Sequence, residues 1–342
     1  MNLTEKNMNL KSVQPAAQLT LDELRDRLIA QNYIVDEELL VTLFVSLKLG
    51  RPLLIEGEAG VGKTEVAKAM AAALGRELVR LQCYEGLDES KALYEWNYQK
   101  QLLAIQVNMN QERVPGRIIG VCGSSVNGNS EEVSGENRDC ESKKNSDEMT
   151  AELFSENYLL ERPLLKSIRS EEPVVLLIDE IDKSDEEFEA FLLELLSEMQ
   201  VTIPELGTVK AQSQPFVVLT SNHVRPLSAA LRRRCAYLYI DYPSIDKEVK
   251  IITSRLPEIE NQLARQVAEA VRHIRQNEKL TRRPSIAETL DWAAALMALG
   301  IKKIDRKGLS DTMGFLLKNN QDMDVVLQDD ELFNDESTGR HP

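Results

Sequence analysis

The sequence predicts an α/β fold, a parallel sheet flanked by helices and followed by a small α-helical unit. Three observations predict it. The apolar run RPLLIEG (51–57) is followed at once by an alanine-rich helical stretch and then by a second apolar run, which makes a strand–helix–strand unit. Two later runs, VVLLIDE (174–180) and FVVLTSN (216–222), are unbroken, as expected of strands covered on both faces. Beyond residue 243 such runs stop and the apolar spacing becomes helical.

Taken in order, residues 1–18 form a polar lead. TLDELRDRLIAQ (20–31) opens with Thr20 and places Glu23 three residues later, a capping-box pattern, and a second helix is expected over 36–48. The strand at 51–57 runs into the helix GKTEVAKAMAAALG (62–75), closed by Gly75, and ELVRLQC (77–83) is the next strand. A polar segment dotted with aromatics covers 84–106. Over 121–149 apolar residues thin out and Ser, Asn, Glu and Gly take over, so burial cannot offset ordering entropy; a disordered surface insertion is expected over about 113–149. A helix is expected over 151–168, a strand at 174–180, a helix at 185–199, a hairpin with a glycine turn at 201–211 and a strand at 216–222. YLYIDYP (237–243) ends the sheet. In 261–276, Leu263, Val267, Val271 and Ile274 fall on one helical face, and 285–300 and 308–319 are also helical. From about 320 the chain is acidic and expected to fray. The expected division is a flexible lead at 1–18, a nucleotide-binding domain at 19–243, a helical domain at 244–319 and an acidic tail at 320–342.

Size and composition bound the function. A chain of 342 residues with 42% hydrophobic content can bury one large core and a smaller one. The net charge of −15 and a pI near 4.9 argue against a nucleic-acid partner, because that affinity rests on phosphate neutralisation by Lys and Arg. Cys83, Cys122, Cys140 and Cys235 form no C-x-x-C pair, and His223, His273 and His341 lie far apart, so neither a disulfide framework nor a histidine metal centre is expected. The N-terminus lacks the apolar segment of a secretory signal, and no run reaches membrane-spanning length. The expectation is a cytoplasmic, reduced protein with no membrane insertion.

The chemistry starts at GEAGVGKT. Residues Gly57, Glu58, Ala59, Gly60, Val61, Gly62, Lys63 and Thr64 fit G-x-x-x-x-G-K-[ST], whose glycines let backbone N–H groups curl around phosphate oxygens. Lys63 is suited to the β- and γ-phosphates and Thr64 to Mg²⁺, so the expected ligands are ATP and Mg²⁺. Asp179, at a strand end, is a second ligand for the Mg²⁺ shell, and Glu180 beside it can deprotonate a water, which favours hydrolysis over transfer. Asn222 ends another strand and can position that water, although a turn-forming Asn is also common there. Arg232, Arg233 and Arg234 close a helix; one of them, with Arg234 preferred because it abuts the next strand, is expected to stabilise transition-state charge across a subunit boundary. Cations at a helix C-terminus are favourable in any case.

Phosphate loop, D-E strand, strand-terminal Asn, arginines before a further strand and then helices: this order resembles an AAA+ ATPase, over about residues 20–320 apart from the insertion. LQCYEGLDESKALYEWNYQKQLLAI, LLIDEIDKSDEEFEAFLLELLSEMQVTIPELG, RRRCAYLYIDYP and PSIAETLDW look more narrowly like the MoxR branch and its CoxD-type proteins. The resemblance implies a P-loop AAA+ core with a helical lid, a homo-oligomer in the form of a hexameric ring, ATP between subunits and Arg234 completing a neighbour's site. It implies a chaperone-like role on a client metalloenzyme, CoxD-type members being associated with maturing a molybdenum–copper carbon monoxide dehydrogenase, beside a partner with a von Willebrand A domain. The lid arginine of such proteins would be Arg282 or Arg283, within LTRRPSIAETLDW, with Arg283 preferred; an exposed arginine at a helix start is the alternative. Segments 84–96 and 201–209 would face the ring's central or axial surface; Tyr84, Tyr94 and Trp96 are otherwise buried aromatics. Two other functions fit the same motifs, a motor acting on nucleic acid and a non-hydrolysing, ATP-dependent assembly scaffold.

Overall fold

The computed structural model describes residues 19–111, 155–204 and 206–329. The expected lead (1–18), the insertion (113–149) and the tail beyond 329 lie outside the described residues.

Thr20 caps α1 (Leu21–Ala30) through the capping box with Glu23, and α2 (Glu37–Leu49) follows, closed by Gly50 in the left-handed region. Next come β1 (Leu53–Glu56), α3 (Lys63–Leu74) and β2 (Leu78–Gln82). The segment read only as polar with aromatics folds into α4 (Glu89–Leu93), β3 (Tyr94–Trp96) and α5 (Tyr98–Gln111). The helix expected over 151–168 is not continuous. A 3-10 turn (Glu156–Tyr158) leads into β4 (Leu159–Glu161), which pairs antiparallel with β3, and α6 spans only Pro163–Arg169. Pro163 is the reason: it disfavours the helical region for Arg162, which is extended, and serves instead as a first-turn residue. β5 (Val175–Asp179), α7 (Glu186–Glu198), the hairpin β6 (Gln200–Ile203)–β7 (Gly207–Lys210), β8 (Phe216–Ser221), α8 (Ala229–Arg234) and β9 (Ala236–Tyr239) complete the first part.

The main sheet has the order β2-β5-β8-β1-β9, all parallel. Successive side chains point to opposite faces, so one strand feeds two cores. Leu54, Leu176, Ile178 and Leu219 pack under α6 and α7. Leu53, Ile55, Val175, Leu177 and Val218 pack under α1, α2 and α3. The in-register ends of β1, β5 and β8 bring the loop after Glu56, the Asp179 turn and Asn222 to one edge, where ligands of open parallel sheets collect.

Helices follow: α9 (Ile245–Arg255), α10 (Asn261–Gln276), α11 (Ile286–Ala298), α12 (Arg306–Leu316) and α13 (Asn320–Leu327). They share a third core around the fully buried Trp292, whose Nε1–H donates to Thr312 Oγ1 at 2.7 Å. The sequence reading passed over α9. The fraying expected from 320 does not begin there: Val326 joins the core, and buried Asp322 accepts a hydrogen bond from the Thr281 N–H at 2.8 Å. Among the described residues no helix is long and apolar enough to cross a membrane.

Cys83 and Cys235 are buried, and burial pushes each thiol from 9.0 up to about 12. Thiolate is the reactive form, so at pH 8 both should alkylate about a thousandfold more slowly than an unperturbed thiol. The raised values also mean that the fold loses stability as pH climbs from about 9 towards 12. Mass-spectrometric mapping of iodoacetamide adducts checks the rate; prompt labelling of Cys83 in the native protein would contradict its burial.

Candidate nucleotide-binding site

Gly57, Gly60 and Gly62 all have positive φ, at 155°, 81° and 94°. A Cβ on Gly57 would lie 2.0 Å from the carbonyl oxygen of Ile240, and one on Gly60 would lie 2.2 Å from Ser285 Cβ. The chain after β9 and the start of α11 therefore press directly on the loop, and only glycine allows both approaches. Glu58, Ala59 and Gly60 are exposed, whereas Val61 is buried. Lys63 opens α3 with 6% of its surface exposed, and its Nζ donates to the carbonyls of Gly57 and Glu58, each at 2.7 Å. Burial lowers the pKa of this ammonium, against the opposing pull of Asp182, Asp179, Glu58 and Glu180.

Asp179 ends β5 almost wholly buried. Its Oδ1 accepts from Thr64 Oγ1 at 3.0 Å and Thr220 Oγ1 at 2.6 Å, and its Oδ2 accepts from Arg80 Nε at 3.1 Å and Nη2 at 2.6 Å. The next residue, Glu180, sits at φ 56°, a left-handed conformation uncommon for a residue with a side chain. Its N–H donates to Thr220 Oγ1 at 2.9 Å, so one threonine fixes the backbone turn and the neighbouring carboxylate. The Glu180 carboxylate meets Lys183 Nζ at 2.6 Å, Gln82 Nε2 at 2.9 Å and Asn222 Nδ2 at 3.4 Å. The Asn222 N–H is in turn held by Asp182 Oδ2 at 3.1 Å. Asp179, Glu180, Asn222, Lys63 and Thr64 are thus brought together. Sequence reasoning missed Arg80, Gln82, Thr220 and Asp182. The available signal was the i, i+2 spacing of Arg80 and Gln82 on β2, which puts both on one face beside the β5 acids.

Residues 59–64, Asp179, Glu180, Thr220 and Asn222, with 32–34, Leu238, 240–244, Lys247, Ile286, Ala287 and Leu290, line a cleft of about 920 Å³ between the sheet and the helices. One end carries the loop and the acids; Ile34, Leu238, Ile240, Ile286 and Leu290 make the rest apolar. Such a division suits a ligand with an anionic end and a flat apolar end. Asn32 at φ 55° and the Tyr33–Ile34 wall carried no readable motif. The helical side closes on the loop through the Ile286 N–H, which donates to Gly60 O at 3.1 Å. Arg255 bridges to Glu65 at 2.8 Å, and Lys247 pairs with Asp36.

Asp179 and Thr64 are a hard-oxygen donor pair beside phosphate-binding N–H groups, which fits Mg²⁺ completed by phosphate and water oxygens. Among the described residues no group of three or more His, Cys, Asp or Glu could hold a metal alone.

Two expected residues stand apart from the cleft. Arg283 is exposed and absent from its wall, because the positions meeting the loop are Ser285 and Ile286, past Pro284. Arg234 is also outside it, with Nε donating to Ser197 Oγ at 2.6 Å. Arg232, itself exposed, pairs with the buried Glu56, and the Arg233 carbonyl accepts from Arg51 at 3.0 Å. Of the aromatics in 84–96, Trp96 is buried and edge-on to Tyr94 at 5.8 Å, and Tyr84 is exposed.

Residues 52–235 match the family described as AAA domain (dynein-related subfamily). No curated protein matches the chain. Among solved structures, a mutant RuvB of Thermotoga maritima is 17% identical with a TM-score of 0.43, over 89% of this chain and 73% of that one. The RuvB Holliday junction branch migration motor of Thermotoga maritima is 16% identical with a TM-score of 0.40, over 88% and 72%. The family match spans more than half of the chain and covers the loop, both β5 acids, Asn222 and the three arginines, and on it this protein belongs to the AAA domain family, dynein-related subfamily.

Proposed function

We propose that the protein is an ATP-hydrolysing machine of the MoxR branch, similar to CoxD-type proteins, that remodels a client protein. The observation that carries the reading is Glu180. It is held in a strained backbone turn beside Asp179, with its carboxylate facing the Asn222 amide at the charged end of the cleft. Strain of this kind, about 1–3 kcal/mol, persists where surrounding structure imposes it and is common at functional sites.

The residues divide the work as follows. The loop N–H groups of 57–64 and the α3 N-terminus bind phosphates. Lys63 transfers its ammonium from the Gly57 and Glu58 carbonyls to phosphate oxygens. Thr64 and Asp179 hold Mg²⁺, which when bound neutralises phosphate charge. Asn222 orients a water and Glu180 takes its proton. Arg234, outside its own cleft, supplies positive charge to the site of a neighbouring subunit in a hexameric ring. Residues 19–243 act as the nucleotide-binding domain and 244–319 as the lid. The setting is cytoplasmic. A protein with a von Willebrand A domain is the expected partner, and a metalloenzyme awaiting its metal centre the expected client.

The test is phosphate release from ATP with Mg²⁺, alongside titration of duplex DNA binding against salt. The reading expects steady release and no steep salt-dependent binding. ATP-dependent assembly without release would replace it with a scaffold. Binding that falls by several decades between about 50 and 200 mM salt would replace it with a nucleic-acid motor.

A further inference from the structure

Glu56 ends β1 immediately before the phosphate loop, with 1% of its surface exposed. Burying a carboxylate is unfavourable unless it is paired. Its partners come from two other parts of the site. Arg232 Nη2 donates to both carboxylate oxygens at 2.7 Å, and His223 Nε2 lies 3.3 Å from Oε2. His223 directly follows Asn222 and sits at φ 61°, a second left-handed residue with a side chain at this edge. Arg232 belongs to α8, two residues before Arg234, and its guanidinium lies 5.8 Å from the centre of the Tyr237 ring. At 100° per residue, position 234 falls on nearly the opposite side of the helix from position 232, which Glu56 holds. Fixing Arg232 on Glu56 therefore fixes the rotation of α8 and, with it, where Arg234 stands.

We propose that Glu56 is a positioning residue that locks the arginine helix to the root of the phosphate loop, so that each subunit's own loop aims the arginine presented to its neighbour. This rests on the shared-site reading above. Glu56 touches no phosphate and makes no chemical step. Its loss should spare the subunit's own nucleotide site and spoil the neighbour's.

Complementation separates these effects. Glu56→Gln alone should bind nucleotide within about twofold of the parent yet turn over on the order of a hundredfold more slowly, the scale of a misplaced catalytic group. Lys63→Ala should be inactive because its own site is dead, although it still presents an intact arginine. In equimolar mixed rings, Glu56→Gln sites next to Lys63→Ala subunits should recover, returning about a quarter of parental turnover. The mixture of Arg234→Ala with Lys63→Ala is the control and should recover likewise. If the control recovers and the Glu56→Gln mixture does not, Glu56 serves only its own loop and the proposal is overturned. Failure of the control overturns the shared-site reading, and the proposal with it. Unaltered turnover by Glu56→Gln overturns the proposal alone. Should that variant fail to fold, Glu56→Gln with Arg232→Met removes the buried carboxylate together with its exposed partner, and the same pattern is expected of it.

Discussion

Replacing Glu180 by Gln should reduce phosphate release by about 10²–10⁴-fold, the range for loss of a general base, with nucleotide affinity preserved. The substitution is close to isosteric, so the left-handed turn fixed by Thr220 through the Glu180 N–H has no reason to move. The amide's single carbonyl oxygen can still accept from Lys183 and Gln82, which share one carboxylate oxygen in the parent, while its NH2 group replaces the oxygen that faced the Asn222 amide. What it cannot do is take a proton from water. Binding should survive because the proposed phosphate ligands, the loop N–H groups and Lys63, are untouched, and because one negative charge fewer near the phosphates favours rather than opposes anion binding. The pair of measurements is single-turnover phosphate release and equilibrium binding of a fluorescent ATP analogue. Unchanged release would remove Glu180 from the chemistry. Release and binding lost together would mean a structural role for the β5 turn.

How much of this could be read from the residues depends on whether the signal is local. β1, the loop and α3 are written into one unbroken stretch from Leu53 to Leu74, apolar run, closely spaced glycines and alanine-rich helix, and they stand where expected. The same holds for β5 and β8, whose unbroken apolar runs left no other assignment. Arg80 and Thr220 carry no such mark. They matter because β2 and β8 flank β5 in register, and neighbour identity in a parallel sheet is set by the order of strands, not by any short stretch. Arg283 is suggested only by the resemblance, with Arg282 beside it as the alternative; the turn ending at Pro284 has no periodicity that sets the register, and the positions facing the loop are Ser285 and Ile286. α13 was hidden for a different reason. In this eight-residue helix one of the two acids, Asp322, is buried with Val326, and Met323 and Leu327 pack partly buried beside them, a face too short to stand out in a polar, acidic end. The break before α6 was legible in principle, since Pro163 and its effect on Arg162 are sequence facts.

The largest stability effect should come from a pair that no motif announced. Glu248 on α9 and Arg275 on α10 are 1% and 6% exposed, and their ion pair is doubled, Nη1 to Oε2 at 2.8 Å and Nη2 to Oε1 at 2.9 Å. Thr289 Oγ1 of α11 contacts both partners at 3.1 Å, and Arg275 Nε donates to the Pro284 carbonyl at 2.9 Å. The guanidinium also stacks 4.3 Å from the Tyr242 ring centre. Glu248→Ala would leave a buried cation unpaired and should cost about 3–5 kcal/mol, whereas Glu248→Leu with Arg275→Met should be near neutral or stabilising. The consequence reaches the nucleotide cleft, because the Arg275–Pro284 bond steadies the turn that sets Ser285 and Ile286 on Gly60. Glu248→Ala should therefore weaken nucleotide binding as well as stability, and the double variant should recover the stability without fully recovering the binding. Trp292 fluorescence in a Trp96→Phe background reports unfolding of the helical core alone, since Trp292 sits there and the chain has only these two tryptophans. If the single and double variants unfold at the same denaturant concentration, the ion pair is not what orders this end of the cleft. If binding recovers completely in the double variant, the packing of α9, α10 and α11 is enough to hold the loop's neighbour in place.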